Sequence, residues 1–285
     1  GRVALLHLSP LSQREITGMP ARPFMVDFDT LLAESKTISP VSVPDMYERI
    51  WKGCMPGLLS GQSERDIFYS SYISTYLERD VRELSGAIDA LKFNRFVTAV
   101  AARCSQLVNF TALAEDADID IQTAKSWLNI LETLGIVFLL HPYSNNVLKR
   151  TIRTPKLYFY DTGLVCYLTR WSSAEVAESG AMSGALLENF TVSELMKSYQ
   201  NEGLSPYLYF YRDRDAKEID VLLEGNGKLF PLEIKKTATP DKRIVRTFDV
   251  IEKSPLERGT GAVLCMAQEF SAFDRENLIV PVWMI

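Results

Sequence analysis

Histidine is almost missing from this sequence: His7 and His141 are the only two in 285 residues. A histidine-built zinc centre or a Ser-His-Asp triad therefore has little raw material. The four cysteines, Cys54, Cys104, Cys166 and Cys265, lie far apart and form no CxxC. They read as reduced core thiols, not as a redox or zinc motif. No apolar run reaches membrane-spanning length, and no charged-then-apolar leader opens the sequence. The expectation is a cytoplasmic protein that does not enter a membrane. Positive charge is also in short supply, with 31 Lys and Arg against 36 Asp and Glu, a net charge of −5. This argues against a broad electrostatic attraction to DNA and leaves room for a local basic strip. Finally, no Gly-x-x-x-x-Gly-Lys-Ser/Thr loop occurs. Gly225-Asn-Gly-Lys228 has the wrong spacing and is followed by Leu229. Without that phosphate cradle, its lysine and its magnesium-binding hydroxyl, no ATP-binding residue is expected in this chain.

What is present is an ordinary globular composition, 47% hydrophobic and 24% charged, long enough for two or three cores. The most informative stretch is Lys217-Glu-Ile-Asp220-Val-Leu-Leu-Glu224, then Phe230-Pro-Leu-Glu233-Ile-Lys235-Lys236. Two strand-like runs flank Gly225-Asn226-Gly227, which predicts a hairpin. Residues two apart on a strand share a face, so Glu233 and Lys235 point the same way. Pairing across the hairpin brings Asp220 beside them. Two carboxylates and an ammonium on one face are costly unless they bind a cation or pair with each other. That set suits magnesium-assisted phosphodiester hydrolysis: carboxylates hold Mg²⁺ or Mn²⁺, and the lysine orients or activates water. A third carboxylate, Glu188, sits in Gly184-Ala-Leu-Leu-Glu188, within an amphipathic helix with apolar Leu187, Val192 and Leu195. The predicted catalytic set is Glu188, Asp220, Glu233 and Lys235, with the three acids as metal ligands. The plainer alternative is a solvated strand face whose charges satisfy one another.

The run Leu148–Lys156 carries Lys149, Arg150, Arg153 and Lys156 and no acid. It reads either as a phosphate-contacting strip, with Lys236 or Arg212 as further contacts, or as a solvated wing. Upstream, helices are predicted over 43–51, stopped by Gly53, and over 64–84. Further helices are predicted over 94–102, 110–117 and 121–134, the last ended by Gly135. Strands at 136–140 and 156–160 follow, after a buried-strand run at Val3–Leu8 near the start. Three helices, a strand, a polar turn and a strand follow the order of a winged helix-turn-helix. Its recognition helix, 121–134, has one lysine and no arginine. Its approach is acidic at Glu115, Asp116, Asp118 and Asp120. A packing or protein-interaction role fits this better than groove reading. The last block, with strands near 207–212, 218–224, 228–235, 261–266 and 278–283 and helices at 184–200 and 242–252, predicts a mixed sheet with flanking helices.

Several phrases together resemble the DUF4143 family of AAA-type ATPases. They are Leu8-Ser-Pro-Leu-Ser12 and Lys52-Gly-Cys-Met-Pro56, with Cys54 in place of a glycine. Tyr72-Ile-Ser-Thr-Tyr-Leu-Glu-Arg-Asp-Val81 and Pro155-Lys-Leu-Tyr-Phe-Tyr-Asp-Thr-Gly-Leu164 are the more specific. The helix with Glu188 and the Glu-Ile-Asp220 and Glu233-Ile-Lys235 strands, similar to a PD-(D/E)XK nuclease core, complete the order. The resemblance implies an α/β (α+β) multidomain fold in three parts. A helical remnant of an ATPase module spans 1–87, a winged-helix region 88–165, and a PD-(D/E)XK nuclease-like domain 166–285. It also implies that residue 1 falls inside the ATPase module, so that ATP is bound by a longer parent and not by this chain. Arg79 and Arg82 then read as nucleotide-sensing residues or as ordinary salt-bridge partners, and Asp161 as a catalytic acid or, the plainer reading, as the cap of the next helix. Three functions stay open at this point. They are metal-dependent cleavage of DNA or RNA, a catalytically inactive module of an ATP-driven switch that binds protein or nucleic acid, and a purely structural charge network.

Overall fold

The computed structural model describes residues 8–285 apart from 62, 86–88, 144–151, 214 and 216. The strand expected over Val3–Leu8 falls, except for Leu8, outside them. The fold is mixed α/β and divides into two compact units. One comprises Tyr47–Leu139 and Lys156–Phe190; the other comprises Gly1–Met46, Leu140–Pro155 and Thr191–Ile285. Both units are assembled from discontinuous segments. Among the described residues no helix is long and apolar enough to cross a membrane. All four cysteines are buried free thiols. Burial pushes the Cys166 thiol up to about 12 and raises that of Cys104 as well, so neither is a thiolate nucleophile near neutral pH.

The first unit is mainly helical. Three helices, Ala90–Ala101, Phe110–Ala117 and Ile121–Thr133, precede a two-stranded sheet of β1 (Val137–Leu140) and β2 (Lys156–Phe159). Asp89, Asn109 and Asp120 cap the three helices with their side chains, each supplying an acceptor that the first turn lacks. Trp127 seats edge-on against Phe93 and Phe96, at 5.4 and 5.5 Å between ring centroids. Such pairs add about 0.5–1.5 kcal/mol each beyond the area they bury.

One helix differs from the continuous α-helix expected over 64–84. It runs as α-helix over Arg65–Ser71, π-helix over Tyr72–Leu77 and α-helix again over Glu78–Ser85. The core face explains the insertion. Tyr69, Ile73, Leu77 and Val81 are all buried, at strict intervals of four. An α-helix of 3.6 residues per turn would rotate that stripe by about 40° per step; a wider i→i+5 turn offsets the drift.

Asp161 is the polar centre of this unit and is 2% exposed. It caps the helix Thr162–Leu168 as expected, accepting the Leu164 N–H at 2.7 Å. The same carboxylate also accepts the Cys54 N–H at 2.8 Å and the Tyr69 hydroxyl at 2.9 Å. Gly53 ends the preceding helix with φ +85°, and a Cβ there would sit 2.2 Å from the Tyr69 hydroxyl oxygen. Both the conformation and the space therefore require glycine.

The second unit is built on a seven-stranded mixed sheet. Its strands are β3 (Leu208–Arg212), β4 (Glu218–Gly225), β5 (Lys228–Lys235), β6 (Glu257–Arg258), β7 (Gly261–Cys265), β8 (Ser271–Ala272) and β9 (Asn277–Pro281). The order is β3-β4-β5-β7-β9-β8, with β6 beside β5. β3, β4 and β5 are antiparallel; β5, β7 and β9 are parallel. The helix expected near 242–252 is a 3₁₀ helix, Lys242–Lys253. Its buried residues Val245, Phe248 and Ile251 recur every third position, the period at which 3₁₀ side chains eclipse. They pack on Leu222, Leu229 and Val263 of the sheet.

The helix Ser183–Gln200 carries a buried ion pair in its second half. Lys197 Nζ lies 2.9 Å from Glu194 Oε1, with side chains 1% and 3% exposed. Glu194 Oε2 accepts the Gln13 N–H at 2.7 Å, and Lys197 donates to the Leu11 carbonyl at 3.3 Å. The pair thus ties the early chain to this helix.

Candidate functional site

The hairpin signal folds as read. Gly225 pairs with Lys228, which leaves a two-residue turn with Asn226 at φ 51° and Gly227 at φ 73°. Two positive φ values define the turn whose twist suits adjoining strands. The turn fixes the register at Val221 opposite Leu232, and one further step sets Asp220 opposite Glu233. Opposed residues put their side chains on the same face.

Three predicted residues meet there. Lys235 Nζ lies 2.6 Å from Glu233 Oε1 and 3.6 Å from Asp220 Oδ2. Asp220 is 7% exposed, and its Oδ2 accepts the Ile234 N–H at 2.8 Å, which fixes the carboxylate plane. The Glu233 side chain is 12% exposed while that of Lys235 is 41% exposed. Glu233 Oε2 is buried and has no hydrogen-bond partner among the described residues. Burial, and then the neighbouring Asp220 charge, push the Glu233 carboxyl up to about 7, against the opposing pull of Lys235.

A pH dependence follows. The folded state favours protonated Glu233, so its contribution to stability is complete below the ordinary value of 4.5. It declines as pH rises toward about 7. Urea midpoints of the metal-free protein are expected to fall across that window, and Glu233→Gln is expected to flatten this part of the profile. An equal slope in both proteins would exclude Glu233 as its source.

Glu188 is engaged in the other unit. Its Oε1 accepts Lys156 Nζ at 3.0 Å and the Tyr158 hydroxyl at 2.7 Å, both from β2. Among the described residues no three Asp, Glu, His or Cys side chains gather as metal ligands. Lys156, read from sequence as part of a basic strip, is 3% exposed and serves Glu188 instead. Lys149 and Arg150 lie outside the described residues. Arg153 and Lys236 are exposed. Arg212 pairs with Glu218 at 3.2 Å. Arg79 pairs with Asp80 at 3.0 Å, as the plainer alternative had it. Sequence reading missed the Glu194–Lys197 pair; its signal was an acid and a base three apart on the apolar face of a helix.

Comparison with known proteins divides the chain in two. Residues 43–175 match the family model "Domain of unknown function (DUF8612)", and residues 183–285 match "Domain of unknown function (DUF4143)". The DUF4143 likeness, read from sequence across nearly the whole chain, is thus placed on the segment with the hairpin site. Two curated relatives are 30% identical over 244 residues: the uncharacterized protein Rv2008c of Mycobacterium tuberculosis and the uncharacterized protein Mb2031c of Mycobacterium bovis. Each match covers 84% of this chain and 48% of the relative, so the chain spans about half the length of the curated relatives it matches. No solved structure shows significant similarity to the chain.

Proposed function

We propose that residues 183–285 carry a divalent-cation site of nuclease type, in which Asp220 and Glu233 hold Mg²⁺ or Mn²⁺ and Lys235 serves the phosphodiester. The observation that carries this reading is the convergence of two largely buried carboxylates, one with an oxygen that has no hydrogen-bond partner among the described residues. The donor set fits the ion. Magnesium is commonly held by one or two carboxylates and keeps several waters, so a third acid is not required. When bound, the cation would supply charge for the phosphate and a more acidic water. Lys235 is the most exposed member of the set, and a phosphate oxygen would compete with Glu233 and Asp220 for its ammonium. Asp220, fixed by the Ile234 N–H, is the rigid ligand.

A specific observation favours the second reading, an inactive binding module. Lys235 already neutralises both carboxylates, and Glu188 is held by Lys156 and Tyr158. Under this reading the domain recognises a partner, and the longer protein couples recognition to ATP. The helices before β1 and β2 support a winged-helix assignment. Asp118 pairs with Lys92 and Asp116 with Arg103, which favours a protein-facing role over groove reading.

The deciding experiment combines Mn²⁺ binding with cleavage of single- and double-stranded DNA. Asp220→Asn keeps the acceptor for Ile234 but removes a charge. It is expected to weaken Mn²⁺ binding at least tenfold and cleavage at least a hundredfold. Lys235→Ala removes the internal competitor for the same space. It is expected to tighten Mn²⁺ binding several-fold while cleavage is lost. Unchanged Mn²⁺ binding in Asp220→Asn would sink the cation site. Normal binding without cleavage would leave the inactive module.

A further inference from the structure

A cavity of about 570 Å³ lies within the helical unit, inside the range of small-molecule sites, about 300–1,000 Å³. Its walls come from the helix that starts at Arg65, the helix Ala90–Ala101 and the turn that ends Thr162–Leu168. Ile73 and Ser74 of the π-helical stretch both border it, and such turns recur at functional sites. Arg65 anchors the wall. Its side chain is 11% exposed, and its guanidinium lies over the Trp51 ring, 4.0 Å from the centroid. Nε donates to the Trp51 carbonyl at 3.0 Å and Nη2 to the Gly163 carbonyl at 3.3 Å. These two bonds and the ring hold the fork in one plane.

The remaining edge of Arg65 faces the cavity. Nη1 donates to Asp66 Oδ1 at 2.9 Å, and Asp66 borders the cavity whereas Trp51 and Gly163 do not. A carboxylate thus already occupies the place that an oxyanion would take. Asp66 is 79% exposed, so solvent screens its hold on Arg65 and leaves it displaceable. A second arginine, Arg170, borders the cavity from the turn. Its φ is +61°, and its N–H and that of Trp171 bond back to the Tyr167 and Cys166 carbonyls. That is a helix-ending motif in which glycine is the usual residue. An arginine there carries a conformational cost that glycine would not. Arg170 is exposed and makes no ion pair among the described residues. Ser70 and Thr98 add exposed hydroxyls to the lining.

We infer that this cavity binds a small hydroxylated oxyanion, a sugar-like body that carries a phosphate or a carboxylate. The oxyanion displaces Asp66 from the Nη1 edge of Arg65 and takes Arg170 as its second partner. The hydroxyls of the body meet Ser70 and Thr98. Hydrogen bonds from arginine to an oxyanion are about twice as strong as neutral ones, so charge is the selective feature. Nothing in the inference depends on the cation site at Asp220 and Glu233, which belongs to the other unit.

The test titrates the chain by calorimetry with four probes on one ring: glucose 6-phosphate, glucuronate, neutral glucose and cationic glucosamine. At least one anion is expected to bind about tenfold more tightly than glucose, and the tighter of the two identifies the oxyanion. Glucosamine is expected to bind no more tightly than glucose. Asp66→Asn, at an exposed position, removes the internal competitor. It is expected to tighten the preferred anion several-fold and to leave glucose unchanged. Arg170→Gly suits the backbone at that turn, so it is expected to weaken the anion about tenfold without lowering the urea midpoint. A merely structural Arg170 would leave the affinity where it was. Equal affinity for anions and glucose, a preference that survives Arg170→Gly, weaker anion binding in Asp66→Asn, or no binding at millimolar concentration would each overturn the inference.

Discussion

Lys197→Met is expected to destabilise the protein by about 3–5 kcal/mol, because it leaves Glu194 as an uncompensated charge in the interior. The methionine fills the space of the lysine stem but returns no proton donor. Glu194 Oε1 loses its ammonium at 2.9 Å, and the Leu11 carbonyl loses its donor. The remaining bond, from Gln13 N–H to Glu194 Oε2, does not neutralise a carboxylate that is 3% exposed. The second variant that makes the argument testable is Lys197→Met/Glu194→Gln. Glutamine keeps an acceptor for Gln13 but carries no charge, so the pair of changes is expected to cost less than Lys197→Met alone. Urea unfolding of the two single variants and the double variant closes the cycle. If the double variant is as unstable as the sum of the singles, packing and not charge is responsible. Limited proteolysis gives a local reading: the segment around Leu11–Gln13 is expected to be cut first in Lys197→Met.

Asp161→Ala is expected to cost about 2–4 kcal/mol. The change removes a helix cap worth about 1 kcal/mol. It also orphans the buried Cys54 N–H, costing about 1–3 kcal/mol, and takes from the Tyr69 hydroxyl one of its two acceptors, leaving the Lys52 carbonyl at 3.1 Å. Asp161→Asn is the sharper probe. Asp161 Oδ1 accepts from Tyr69 and Leu164, and Oδ2 accepts from Cys54. An asparagine must turn its NH₂ toward one of these donors, whichever way it flips. The near-isosteric variant is therefore expected to lose most of what alanine loses. Tyr69→Phe, which removes one donor and leaves the carboxylate its two backbone bonds, is expected to cost about 1–2 kcal/mol. Thermal and urea unfolding of the three variants rank them. If asparagine proves harmless, Asp161 acts by shape and not as a three-way acceptor.

The parts of this fold that were legible in the sequence are those written in local chemistry. Gly225-Asn226-Gly227 specifies a tight hairpin, and the hairpin alone brings Asp220, Glu233 and Lys235 together. Gly53 and Gly135 end helices with the positive φ that their positions need. Asp161 caps its helix because an acid before Thr-Gly-Leu has the acceptor that turn lacks. What the sequence did not disclose depends on contacts far along the chain. The π-helical stretch at Tyr72–Leu77 answers a core stripe spaced by four, a pattern that also fits an α-helix. Glu188 looked available for a metal because nothing near it in sequence announces Lys156 and Tyr158 as its partners. Likewise, Lys156 sits in a run of exposed-looking bases, and only its pairing from β2 marks it as buried.

The bond between Gln13 and Glu194 spans 181 residues. A ribosome adding about 5–20 residues per second needs roughly 10–35 s to cross that interval. Throughout it, Phe24, which ends up 1% exposed, has emerged without the helix residues Ser198 and Tyr199 that later bond its backbone. The early segment must stay unaggregated while the intervening helical unit is synthesised. A nascent chain stalled before Glu194 is thus a natural client for a holding chaperone, and slow translation lengthens that dependence.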